Sequence, residues 1–208
     1  MPDVAELLKG SAMRLANLPP STCLEQVRRD KLPFKRCGKV DSIAAPLRFS
    51  GELGEVTFQV PPEKTPFGLI DCRLALVLSD ITPLLRAHHV RSVRIDSLYR
   101  PRARLPAGHG KKSQHAYALA ADVVSVTLDD GRELDVERDF HGRLDAPVCG
   151  PEAFLEPETD EAVRLRNLVC DMARRGAFHH MLTPNHDHAH RNHLHLDIKR
   201  GNKRFSLD

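Results

Sequence analysis

The chain has 208 residues, enough for one domain with a proper core and at most a small extension, and 41% hydrophobic with 28% charged residues is a globular composition. Its 31 basic and 28 acidic side chains are evenly spread and leave a formal charge of +3, which argues against a nucleic-acid partner and is compatible with an anionic polymer such as cell wall. No run approaches the roughly eighteen apolar residues of a membrane span, and the N-terminal stretch lacks the apolar core of a secretory signal. A leader removed from this sequence, another export route, or residence inside the cell are all compatible with that.

Residues 4–17 have helical spacing, with Val4, Leu7, Leu8, Met13 and Leu15 among polar residues, and Pro19-Pro20 ends the pattern. The spacing predicts a peripheral helix, so residues 1–22 are expected to be an N-terminal helical extension and residues 23–208 the domain. A short helix follows through Leu24 to Arg29, then extended pieces ending at Val56 to Val60. Asp71 can cap a helix carrying Leu74, Val77, Leu78 and Ile81, which Pro83 would kink or divide. Val90 to Arg100 alternates as a strand, and a basic loop rich in Pro and Gly, Pro101 to Lys112, comes next. That loop contains GHGKKS, but the first glycine of a phosphate-binding GxxxxGK[ST] would fall at Leu105. Val123 to Leu128 reads as a buried strand, Asp129-Asp130-Gly131 as a turn, and Arg132 to Val136 as the return. Residues 138–158, with Pro147, Gly150, Pro151 and Pro157, read as a long excursion and are expected to border a cleft. Thr159 then opens the best helix in the chain, which Gly176 stops.

Five cysteines without a CxxC pair allow two disulfides and one free thiol, with Cys23 and Cys37 the local pair, or five buried reduced thiols. Twelve histidines are the outstanding compositional fact, and seven of them lie between His179 and His195. In HRNHLHLD, Leu194, Leu196 and Ile198 alternate with His193, His195 and Asp197, the period of a half-buried strand. One imidazole can therefore bind a metal while the other, about 7 Å along the strand, handles protons. Two histidines do not complete a catalytic zinc site, which takes three protein ligands and leaves a position for water. His115 and Asp122 are the natural complement, with Ser113 and Asp197 able to orient an imidazole through its other nitrogen. His179, His180, His186 and His188 are left as polar loop residues.

Ser113, His115, Ala118, Ala120 and Asp122 resemble the SxHxxGxAxD motif of the LAS group of zinc peptidases, and His190, His193 and His195 resemble the HxxHxH of penicillin-insensitive murein endopeptidase. Together with CLEQVRRDKLPFKRC, IDCRLAL and DGREL, the layout over roughly residues 20–200 resembles the bacterial extensin-like C-terminal domain family. The resemblance implies an α+β fold, an antiparallel central sheet flanked by helices with a LAS and hedgehog-like core. It implies one Zn2+ per chain on His115, Asp122 and His195, with His193 as general base or transition-state stabiliser. Arg100, His190 and Tyr99 would contact substrate, Arg100 as the anchoring arginine, and the substrate would be peptidoglycan stem peptides or cross-links in the cell envelope, the periplasm or outside the cell.

Two departures bear on activity. D-Ala-D-Ala carboxypeptidases place a glutamate base three residues before the last ligand; here that position is Asn192, which favours an endopeptidase. Ala118 replaces the motif glycine, acceptable on an ordinary strand and costly at positive φ. The chain also lacks tryptophan, so the cleft wall is expected around Phe140 and Phe154. Rival readings are a zinc-stabilised, non-catalytic wall- or protein-binding module and a metal-dependent hydrolase of another amide.

Overall fold

The computed structural model of the chain describes residues 4–105 and 110–208; residues 106–109, in the middle of the expected basic loop, lie outside them. The fold is α+β. Six helices, α1 (Val4–Leu7), α2 (Ser11–Leu15), α3 (Pro20–Arg29), α4 (Cys72–Ala87), α5 (Val136–Asp139) and α6 (Asp160–Arg174), accompany ten short strands. Three of these, β1 (Phe34–Arg36), β2 (Pro46–Phe49) and β4 (Ile70–Asp71), make a small antiparallel sheet. The others are β3 (Thr57–Gln59), β5 (Val90–Ser97), β6 (Ala120–Leu128), β7 (Glu133–Asp135), β8 (His180–Leu182), β9 (Leu194–Asp197) and β10 (Ser206–Leu207). They form a seven-stranded sheet in the order β10-β8-β9-β6-β5-β3, with β7 continuing along the edge of β6 beyond β9. The sheet is antiparallel at its centre, as expected, but the outer pairs β3/β5 and β10/β8 are parallel, so it is mixed.

The alternation read from the sequence decides which way each strand faces. On β6 and β9, Ala121, Val123, Leu194 and Leu196 enter the main core, where α4 and α6 pack, while Asp122, His195 and Asp197 occupy alternate positions. Asp71 caps α4 by accepting from Arg73 N at 3.0 Å, and its other oxygen accepts from Ala44 N and Ala45 N, tying the small sheet to the helix. Pro83 does not divide α4. It cannot donate to the Ser79 carbonyl, but the Thr82 hydroxyl does so at 2.8 Å, and the helix runs through. Thr159 caps α6, and Gly176 follows it at φ +58°.

Four expectations give way. The N-terminal segment is two helices broken near Gly10, and it is not peripheral: Ala12, Leu15 and Ala16 are buried in the main core, and Ser11 and Arg14 both hydrogen-bond Asp80 on α4. Cys23 pairs with Cys72 rather than with Cys37, joining α3 to α4 across 49 residues, and Cys149 pairs with Cys170. Cys37 is the free thiol. His179 is a core residue, fully buried against Phe205, and its Nδ1 accepts from Lys199 N at 3.0 Å. Phe140 is likewise core, whereas Phe154 is half-buried beneath the Arg143 guanidinium.

Two outcomes follow. Closing a loop of this length stabilises by about 4 kcal/mol in the chain-entropy picture, so Cys23→Ala/Cys72→Ala lowers unfolding stability by an amount of that order; an unchanged denaturant midpoint would contradict the pairing. Burial pushes the His179 pKa down to about 4, against about 6.5 in an unfolded chain. Between those values the unfolded state binds the extra proton, so the contribution is intact above pH 6.5 and is lost as pH falls toward 4. His179→Asn, which keeps an acceptor for Lys199 N but does not titrate, flattens that acid loss by about 1–3 kcal/mol in denaturation series run at several pH values; an unaltered slope would contradict it.

Candidate metal centre

Strand register brings the site together. On the antiparallel pair β6/β9, Asp122 lies opposite His195, and on β5/β6 Ser97 lies opposite Asp122. His115 comes from the short 3-10 turn Gln114–Tyr117 just before β6, capped by Ser113, whose hydroxyl accepts from His115 N. Three donor atoms then converge: His115 Nε2 is 2.9 Å from Asp122 Oδ1 and 3.1 Å from His195 Nδ1, which is 3.1 Å from the same carboxylate oxygen. All three residues are buried.

The donor set fits zinc. Ligands at about 2.0–2.2 Å in a tetrahedral arrangement stand about 3.3 Å from one another, so this triangle needs only a few tenths of an ångström of expansion. The far side of each ring is also fixed. His115 Nδ1 donates to Leu98 O at 3.1 Å, and His195 Nε2 lies 3.3 Å from Asp197 Oδ2. A cation in the triangle would take the inner lone pair of each ring while these bonds keep the ring proton on the outer nitrogen, the arrangement typical of metal-binding histidines.

The electrostatics agree. Burial disfavours the Asp122 carboxylate, but hydrogen bonds from His115 and His195 outweigh it and hold the group well below the usual range. Its other oxygen accepts from Ser97 Oγ at 2.9 Å and lies 3.4 Å from Arg100 Nη2. Burial opposes charge on His195, yet its bonds to Asp122 and Asp197 raise its pKa to about 9. Surroundings that favour a proton there favour a cation for the same reason.

The other expected residues fall as follows. His193 is half-buried beside the triangle, its Nε2 3.5 Å from Asp122 Oδ1 and its Nδ1 2.9 Å from Asn192 Oδ1; burial lowers its pKa. His190 stands next, with ring centroids 5.1 Å from His193 and 5.9 Å from His195, and its Nδ1 bonds Asp187 Oδ1 at 2.7 Å. Arg100 is half-exposed beside Asp122. Tyr99 is not at the site. It is buried with Ile43, Leu69 and Ala118, and its hydroxyl spends its proton on Asp41 O at 3.1 Å.

Ala118 departs from the expectation of ordinary strand. It sits in the left-handed region, φ +54° and ψ +34°, where the 3-10 turn passes into β6. A residue with Cβ pays about 1 kcal/mol there relative to glycine, and burial of the methyl, worth about 0.8 kcal/mol, nearly offsets it.

Three contributors escaped the sequence. Ser97 carried only its place on the inward side of β5. His180, read as a loop residue, lies opposite Asp197 on β8/β9, and its Nδ1 is 2.8 Å from Asp197 Oδ1, so it holds the carboxylate that orients His195. Asp187 caps the 3-10 turn His188–His190 and joins His186 and His190 in a second, more exposed set of possible metal donors. Only the first set is buried with its ring tautomers fixed from behind.

Loss of a partner of this kind costs about 10–100-fold in metal affinity. Asp197→Ala therefore weakens zinc binding by that factor in competition with a chromophoric chelator, and His115→Ala abolishes it; an Asp197→Ala affinity equal to the wild type would remove Asp197 from the site.

No curated protein and no solved structure is significantly similar to the chain. The family model described as the extensin-like protein C-terminus matches residues 25–206, a span that holds every residue of the donor triangle and all the strands that position it. By that match the chain belongs to the extensin-like C-terminal family.

Proposed function

We propose that the chain is a zinc-dependent peptidase acting on cell-wall stem peptides or their cross-links, as an endopeptidase in preference to a carboxypeptidase. The observation that carries the reading is the buried triangle of His115 Nε2, Asp122 Oδ1 and His195 Nδ1 with a neutral imidazole, His193, on its open side. Zinc held by three such ligands supplies a Lewis acid for an amide carbonyl and acidifies water toward neutrality.

The side chains supply the rest. With Nδ1–H donated to Asn192 Oδ1, His193 keeps a basic Nε2 facing the site, and its lowered pKa keeps it neutral near pH 7. It is placed to accept a proton from the attacking water and return it to the leaving amine. Asn192 cannot be the base that a carboxypeptidase glutamate would be at this position; it orients His193 instead. Arg100 is free on its exposed side to meet a peptide carboxylate or a developing oxyanion, and the Nε2 of His190 can donate or accept there.

General acid–base contributions are about 10²–10⁴-fold, so His193→Ala is expected to keep zinc near one per chain and lose cleavage of purified peptidoglycan by that factor, read by mass spectrometry. Undiminished cleavage with zinc retained would remove His193 from the mechanism. Zinc bound by a wild-type chain that leaves the wall untouched would favour a wall-binding module.

A further inference from the structure

A cleft of about 710 Å3 opens on the Nε2 side of His195, where Asp197 and Ser113 also form part of its wall. Its charge is lopsided. Arg73, Lys111, Lys112, Lys199 and Arg200 line it, and Asp197 is the one carboxylate among the described lining residues. That carboxylate is already engaged by His180 and His195. Arg73 is paired with Asp71 behind the wall, so the uncompensated charge of the cleft comes from Lys111, Lys112, Lys199 and Arg200.

Arg73 is the informative member. It is only 3% exposed, and its Nε and Nη2 are spent on the two oxygens of Asp71 at 2.7 and 3.0 Å. Its Nη1 is buried without a hydrogen-bond partner. An unpaired buried N–H is rare and costly, and at the wall of a cleft it asks for an acceptor oxygen. Lys111, Lys112, Lys199 and Arg200 form no ion pair among the described residues, and Lys112 lies over the Tyr117 ring, 5.6 Å from its centroid.

We infer that this cleft is an anion subsite that holds the carboxylate-bearing arm of a peptide substrate while the amide to be cut lies at His115, Asp122 and His195. The inference deepens the peptidase reading, and it defines the substrate class: a peptide with an anionic arm beyond the amide to be cut rather than a neutral one. Arg200 can take a carboxylate in a planar pair, the three lysines add field without demanding geometry, and Arg73 Nη1 has at most one bond to give.

Calorimetry on the full, zinc-loaded chain tests it with a short synthetic peptide carrying two free carboxylates and the same peptide with both amidated. The wild type is expected to bind the free acid about tenfold or more tightly than the amide, with a preference that shrinks as salt rises. Lys199→Gln/Arg200→Gln, at two exposed positions, weakens free-acid binding about tenfold and leaves the amide unchanged. Lys203→Gln, an exposed cation outside the cleft, changes neither. Equal affinity for the two peptides, binding of neither, or an equal loss in Lys203→Gln overturns the inference, as does tighter binding of a phosphodiester polymer than of the free acid. A chain that discriminates between the peptides but never cleaves wall sinks the peptidase reading alone; cleavage without discrimination sinks this inference alone.

Discussion

Two imidazole nitrogens and a carboxylate oxygen are brought within 3.1 Å of one another in the interior, and holding them there is the constraint that the rest of the structure answers. The Nε2 of His115, Oδ1 of Asp122 and Nδ1 of His195 are held in that arrangement by groups that leave them little freedom: the Leu98 carbonyl, the Ser97 hydroxyl and the Asp197 carboxylate. A buried carboxylate beside two imidazoles is stabilised by positive charge between them, whether a proton or a cation. The sheet is built to impose it. The pairing of Asp122 with His195 fixes two donors through backbone hydrogen bonds, and the capped 3-10 turn delivers the third.

Behind the triangle the support continues outward. Asp197 is gripped by His180, and His180 in turn lies 3.2 Å from the Asn202 amide. Each layer restricts the one inside it, so His195 is oriented by a chain of bonds that reaches the surface. His180, His195 and Asp197 also line the basic cleft, so the support of His195 and the positive field lie in one region. Asp197 belongs to both, as the partner of His195 and as part of the cleft wall.

Much of this was legible in the sequence because it depends on period. The alternation of His193, His195 and Asp197 with leucines identifies a strand with one polar face, and the spacing of Ser113, His115 and Asp122 identifies the partner segment. Capping signals at Asp71 and Thr159 and the turn at Gly131 are equally local, and each lies where expected. What escaped depends on tertiary geometry. The Cys23–Cys72 bond joins residues 49 apart because α3 and α4 pack together, which no spacing rule reveals. Tyr99 is buried in phase with Val93, Ile95 and Ser97, as the alternation of that strand implies, and only the family resemblance had pointed it at substrate. Ala118 took a left-handed conformation that its residue type does not advertise, and His179 entered the core although the histidines around it are polar.

Anomalous diffraction at the zinc edge from crystals of protein purified without added metal tests the central claim most directly. The account predicts one strong peak within coordination distance of His115 Nε2, Asp122 Oδ1 and His195 Nδ1, with Asp197 still against His195 Nε2. No peak at those three atoms, or a peak only among His186, Asp187 and His190, would contradict it.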